Sequence, residues 1–112
     1  MSSELDVYIN TLVVVIWIVD DVKTWYLGYV NNILQNGERF IVEHLERAGK
    51  DNVRWRFPKK EDICEVDILQ IKGIRPESSW DYTNSRAHTM VLENHRQIHQ
   101  AVQESDVATY AD

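Results

Sequence analysis

The 112-residue sequence predicts a mainly-β protein: a small five-stranded antiparallel barrel followed by a C-terminal α-helix. Three observations carry that prediction. Between Leu12 and Phe57 the chain alternates short runs of β-branched and aromatic residues with compact polar turns. Four or five strands of this length suit a small barrel better than a sandwich, which needs more strands. After Arg86 the apolar spacing changes from two to three-and-four, the period of a helix.

Residues 1–10 are polar and form a lead-in, with Leu5, Val7 and Ile9 alternating as a short extra strand would. The barrel is expected over 11–72. Its first strand, Leu12 to Val19, puts Val13, Val15 and Trp17 on one face and Val14, Ile16 and Ile18 on the other. Both faces are apolar, so this strand has to be covered twice, and a barrel interior covers it once. Asp20 to Lys23 reads as a turn. The second strand, Thr24 to Ile33, contains Gly28, which suits a sharp bend or a close approach of two backbones. Asn36-Gly37 is a strong hairpin signal, because both turn positions favour positive φ. Arg39 to Leu45 follows as the third strand, and Gly49 to Asn52 as a turn. In the fourth strand Val53, Trp55 and Phe57 alternate with Arg54 and Arg56. Pro58 ends it, having no N–H to give a ladder. Lys59 to Asp67 is charged and irregular, and Ile68 to Ile71 supplies the closing strand. Residues 73–85 read as a linker lying along the barrel, since Trp80 and Tyr82 gain by contact with it. Over 86–104, Ala87, Val91, His95, Ile98 and Val102 form one helical stripe, with Asn84 or Ser85 as its cap. The tail is 105–112.

That stripe has a task, because the outer face of the barrel (Val14, Ile16, Ile18, Leu27, Tyr29, Ile41) needs a cover. Two readings stand. The helix covers its own barrel, or the patch meets a second chain, with Ile16, Ile18, Tyr29, Val91 and Ile98 at the interface.

Composition narrows the partner. A formal net charge of −6 and an apolar share of 44% describe a globular domain with a core and an acidic surface. Nonspecific nucleic-acid affinity comes mainly from Lys and Arg displacing counterions, so a general nucleic-acid binder is disfavoured. Arg54, Arg56, Lys59 and Lys60 form one local basic patch, opposed by Glu61, Asp62, Glu65 and Asp67. A basic peptide suits the acidic balance better. The single cysteine, Cys64, excludes an internal disulfide framework and a multi-cysteine zinc site, and fits a reducing compartment. The longest apolar run is too short to cross a bilayer as a helix, so no membrane partner is expected. His88, His95 and His99 lie near one helix face, and His95 and His99 have chelating spacing. With no cysteine or HExxH acid beside them, they read as boundary residues. No phosphate loop, nucleophile elbow or carboxylate pair argues for catalysis, and no metal or cofactor is implied.

The strands VVVIW, TWYLGYV, RFIVEHL and VRWRF together resemble the Tudor-like branch of the SH3-like barrels. The resemblance covers about residues 13–71. It implies a non-enzymatic reader of methylated lysine or arginine peptides inside an intracellular, nuclear, chromatin- or RNA-associated protein. The family's aromatic cage maps onto Trp17 at the end of the first strand and onto Tyr26, followed by the small residue Gly28. His44 takes the third-strand position, where the family more often has Phe or Tyr. Glu46 supplies the acid and Trp55 the last wall. Rings present negative faces to a cation, each good contact contributing about 0.5–2 kcal/mol. The alternative from another class is an assembly module with no working cage, forming a homodimer or holding a fixed protein partner.

Overall fold

Two strands, β1 (Leu12–Val19) and β2 (Val22–Leu34), form the hairpin that the rest of the chain packs around. In the computed structural model, which describes residues 7–49, 53–81 and 89–104, they pair without interruption from Leu12↔Tyr29 to Val19↔Val22. Their turn is only Asp20 and Asp21, at φ 51° and 63°. A two-residue hairpin needs that left-handed backbone, and short polar aspartates tolerate it. Val22 and Lys23, expected in the turn, are therefore strand.

β2 runs further than its apolar pattern suggested, because a register shift between Val30 and Asn32 absorbs one residue as a bulge. Bulges sharpen the local twist. Asn36-Gly37 does mark the next reversal, in a single 3-10 turn whose Gln35, Asn36 and Gly37 have φ of 50°, 57° and 92°. β3 (Arg39–His44) then returns along β2. Short strands β4 (Glu46–Arg47) and β5 (Arg54–Arg56) follow, then β6 (Ile63–Asp67) and β7 (Ile71–Lys72).

Here the expected closing strand is corrected. Ile68 to Gln70 is a 3-10 turn, and the strands are the segments on either side of it. Asp67 caps the turn by accepting from Leu69 N at 2.9 Å, while Gln70 Oε1 accepts from Asp67 N at 3.0 Å. The two side chains satisfy donors that a helix start leaves open.

The first sheet has the order β6-β3-β2-β1-β7. Five flat strands would hold the outer pair about 19 Å apart, at roughly 4.8 Å per step. Three 3-10 residues, rising about 2 Å each, cannot span that distance. The sheet is therefore strongly curled. It is not a closed barrel, since among the described residues no ladder joins β6 to β7. The inside of the curl holds Val13, Val15, Val30, Phe40, Val42, Val66 and Ile71. Gly28 sits between two of these valines, where a Cβ would collide with Val42 Cγ1 and crowd Val15 Cγ2.

A second antiparallel sheet, absent from the sequence reading, comprises β4, β5, β8 (Ser78–Asp81) and β9 (Thr89–Leu92) in the order β4-β5-β9-β8. β8 takes residues 78–81 of the expected linker, and β9 takes 89–92 of the expected helix. Helix α1 spans only His95–Gln103. Asn84 and Ser85, read as its caps, and Ala87 and Tyr82 lie outside the described residues. Thr89 to Leu92 is a strand because Met90 and Leu92 alternate inward against Trp55 and its neighbours. A four-residue apolar run satisfies helical and strand spacing alike, and the partner strand decides.

The outer face of the curled sheet is covered within the chain. Val14, Ile16, Trp25 and Leu27 pack against Leu45, Trp55, Met90 and Leu92 of the second layer and against Ile98 and Val102 of α1. Each fully buried aliphatic of this kind contributes about 1.5–3 kcal/mol. Two further contacts seat the helix. Buried Asn94, just before α1, donates to Arg75 O at 3.0 Å and accepts from Glu77 N at 2.9 Å, pinning the segment before β8. At the other end Lys23 Nζ donates to the carbonyls of Val102 and Gln103 at 3.0 and 2.9 Å. A cation there complements the negative end of the helix.

Candidate functional site

Alternation along β1 and β2 delivers the site. Val15 faces Tyr26 and Val13 faces Gly28 in register, and Gly28 faces His44 on β3. Trp17, Tyr26 and His44 therefore project from one face, the inner face of the curl, near the end where the β1–β2 turn opens it. β6 adds the far wall through Cys64, paired with Val42, while Asp62 just before the strand accepts from His44 N at 2.8 Å. The result is a pocket of about 350 Å³ lined by Trp17, Val19, Tyr26, His44, Asp62 and Cys64.

The rings are in contact. The Trp17 and His44 centroids lie 5.8 Å apart with planes tilted by 48°, and Tyr26 meets His44 edge-on at 6.2 Å. Trp17 Nε1 donates to His44 Nε2 at 3.2 Å. An indole N–H only donates, so Nε2 carries the lone pair and the proton of the neutral ring sits on Nδ1. That Nδ1–H points at Cys64 Sγ, 3.5 Å away. Burial pushes the His44 pKa below its ordinary 6.5, and the charge and backbone of Asp62 offset this only in part. Burial also raises the Cys64 thiol above its ordinary 9.0, and the Asp62 carboxylate adds to the rise. Both effects favour the uncharged pair. Since the His44 lone pair is committed to Trp17, the imidazole is not placed to take the thiol proton, as a cysteine nucleophile would require.

Three of the five expected cage residues thus meet, and two do not. Glu46 lies on β4 and accepts from Arg56 Nε at 2.6 Å. Trp55 is fully buried on the opposite side of the sheet, its ring 5.5 Å from that of Trp25. The acid at the pocket is Asp62, and Val19 and Cys64 complete the lining. Asp62 and Cys64 escaped the sequence reading because 59–67 looked irregular, and Val19 was read only as the last residue of the first strand. The signal present was the alternation of Ile63 to Asp67, masked by its charges.

The residues of the second sheet and β2 build a different cage. The Arg47 guanidinium carbon lies 4.7 Å from the Trp55 ring centroid, 5.0 Å from Tyr26 and 5.6 Å from Trp25. Its Nη2 donates to Trp25 O at 2.7 Å. The chain's own arginine fills that three-ring cage.

The remaining candidates are placed as follows. Ile16 and Ile98 are fully buried in one cluster of the same chain, so neither is available to a partner. Ile18, Tyr29 and Val91 are half-buried, and Tyr29 packs edge-on against Phe57 at 5.8 Å. In the basic patch Arg54, Arg56, Lys59 and Lys60 are exposed, with Arg56 tied to Glu46. His99 Nδ1 accepts from Trp25 Nε1 at 3.2 Å, and His88 lies outside the described residues. Among the described residues no three His, Cys, Asp or Glu side chains are grouped to hold a metal, and no helix is long and apolar enough to cross a membrane.

The chain matches no protein-family model, no curated protein and no solved structure.

Proposed function

We propose that this chain is a non-enzymatic binding module, an SH3-like barrel of the Tudor-like kind left partly open, that holds a methylated lysine or arginine side chain of a partner protein. One observation carries the reading. An indole, a phenol ring and an uncharged imidazole stand around one open pocket with a single carboxylate, Asp62, at its wall. The curl of five strands whose outer pair is joined by three residues supports the barrel half of the reading.

The chemistry suits a soft cation. A methylated ammonium has lost N–H donors and is less costly to desolvate, so rings compete with water for it. The imidazole serves as a wall only while uncharged, and its burial and its bond from Trp17 favour that form. Asp62 adds attraction from the exposed side, where solvent screening keeps its contribution modest. Two rings at about 1.5–2 kcal/mol each, the part of the range that a desolvated contact reaches, with a screened carboxylate, give a free side chain an affinity in the millimolar range. The apolar face that an assembly module would use is covered by the chain's own second sheet and helix.

The test is an NMR titration of the full chain with Nα-acetyl-trimethyllysine amide, following the indole N–H resonances. The reading expects Trp17 Nε1–H to shift, unmodified acetyl-lysine amide to bind several-fold more weakly, and Trp17→Leu to abolish the response while the fold persists. A folded protein whose Trp17 resonance ignores both probes at tens of millimolar would overturn it.

A further inference from the structure

The outer edge of β6 runs beside the pocket, and no described strand lies along it. The register shows which of its backbone groups face outward. His44 N donates to Asp62 O at 2.8 Å, and Ile68 N donates to Glu38 O at 2.9 Å. Residues in phase with Asp62 and Ile68, namely Cys64 and Val66, therefore bond inward to β3. In an antiparallel ladder the residues between them turn both N–H and C=O the other way. Ile63 and Glu65 thus present theirs to the outside. Asp67, next in that phase, has its N–H taken by Gln70 Oε1, on the outer side as the phase requires. The side chains follow the complementary phase: Asp62 and Cys64 line the pocket, while Ile63 and Glu65 project from the opposite face.

We infer that the partner binds as an extended basic peptide strand added antiparallel to the outer edge of β6, with its methylated cation opposite Cys64. This rests on the pocket reading above and adds to it a backbone register and a sequence preference. A strand added here forms hydrogen-bonded pairs with Ile63 and Glu65. The residue between them falls in the non-hydrogen-bonded position opposite Cys64, where the Cα atoms approach to about 4.5 Å and side chains are closest. Its side chain lies on the pocket face. Both neighbours lie on the other face, the preceding one beside Glu65 and the following one beside exposed Ile63. The register therefore favours a basic residue, then the cation, then an apolar β-branched residue.

Charge selects the occupant. The segment forming this edge carries Glu61, Asp62, Glu65 and Asp67 against Lys59 and Lys60, in a chain of net charge −6. Arg39 is tied to both Glu65 and Asp67. Pairing of two such edges would set acid against acid, a device that keeps sheets from adding to one another. A basic strand meets the opposite situation, and main-chain bonds supply the affinity that a two-ring pocket lacks.

Three probes test the inference on the full chain, by NMR titration. The first is Nα-acetyl-trimethyllysine amide, which reaches the pocket alone. The second is a nine-residue peptide with trimethyllysine at its centre, arginine before it and valine after it. The third is a set of amide-to-ester versions of that peptide, each lacking one N–H. The inference expects the peptide to bind at least about tenfold tighter than the amino-acid probe, with the Ile63 and Glu65 amides shifting. It expects an ester at the arginine or the valine position to cost roughly fivefold. An ester at the trimethyllysine position, whose N–H faces away from β6, should be neutral. Equal affinity of peptide and amino-acid probe, or equal cost of all three esters, would overturn the edge while leaving the pocket intact. Failure of both probes would instead overturn the pocket. A constitutive dimer whose Ile63 and Glu65 amides are already protected from exchange would show the edge occupied by a second copy, and would also overturn it.

Discussion

Arg47 offers the sharpest test of how this fold is held together. Its guanidinium is within 5.6 Å of three ring centroids, and it bonds the Trp25 carbonyl at 2.7 Å. The side chain is half-buried, so each ring contact takes the lower part of the cation–π range, about 0.5–1 kcal/mol. The charge-assisted hydrogen bond adds about 1.5 kcal/mol. These terms are not additive, since one group makes them all, and a net loss of roughly 2–3 kcal/mol is expected when the charge is removed. Arg47→Met keeps much of the apolar stem, and therefore isolates the head group from the packing of its chain.

Urea denaturation of the wild-type, Arg47→Met and Arg47→Lys proteins reads the effect directly. Met should lower stability by roughly 2–3 kcal/mol, which for a domain of this size moves the melting midpoint by about 8–15 °C. Lys should recover only part of the loss, because a compact ammonium does not stack on rings as a planar fork does. A change below about 0.5 kcal/mol for Met would refute the argument, and the arginine would then be an exposed side chain resting near rings that pack without it.

Three further outcomes follow from the same geometry. Gly28→Ala should destabilise by about 1–3 kcal/mol, because its Cβ meets Val42 inside the curl, and a second change, Val42→Ala, should recover part of that in a double-mutant cycle. The pH dependence has a definite sign. Because the folded His44 pKa is below 6.5, the unfolded chain binds the proton first, so the His44 contribution is complete above pH 6.5 and is lost as pH falls towards the folded value. His44→Gln should flatten that limb of a stability–pH curve, and an unchanged limb would assign it to other groups. Asn94→Ala should cost about 2–3 kcal/mol and loosen amide protection at Glu77, since it strands the Arg75 carbonyl and the Glu77 N–H together.

The sequence was most legible where side chains alternate against near neighbours. The two apolar faces of β1, the need to cover both and the role of Gly28 all follow from a period of two. The β1–β2 turn came out shorter than expected, because Asp20 and Asp21 can both adopt positive φ and composition alone does not show which polar residues will. The second sheet was hidden for a different reason. β9 pairs with β5 across a long separation, Trp55↔Met90 and Arg54↔Val91, and Thr89 to Leu92 offers too few residues to distinguish a strand from the start of a helix. The helix stripe was real only from His95 onward, where Ile98 and Val102 are buried and Val91 is not one of its residues.

Of the five residues expected to meet, Trp17, Tyr26 and His44 do, and the absence of Glu46 and Trp55 from that pocket has a physical cause. Trp25 and Tyr26 are adjacent in β2, so their side chains leave from opposite faces of one sheet, yet the Tyr26 ring contacts both His44 and Arg47. Sequence spacing alone could not divide five aromatic or imidazole rings between two sites that share a wall. It assigned Trp55 to the open pocket, whereas the fold commits it to the site that Arg47 occupies. A cation placed among rings is therefore already realised once in this structure, with a ligand supplied by the chain itself. That internal example bears on the open pocket as well. Because Arg47 stacks on Tyr26 from the other site, replacing Arg47 by Met should loosen the Tyr26 wall and weaken the proposed trimethyllysine binding even in a protein that remains folded. Unchanged binding in that folded variant would show that the wall is held by β2 and His44 alone.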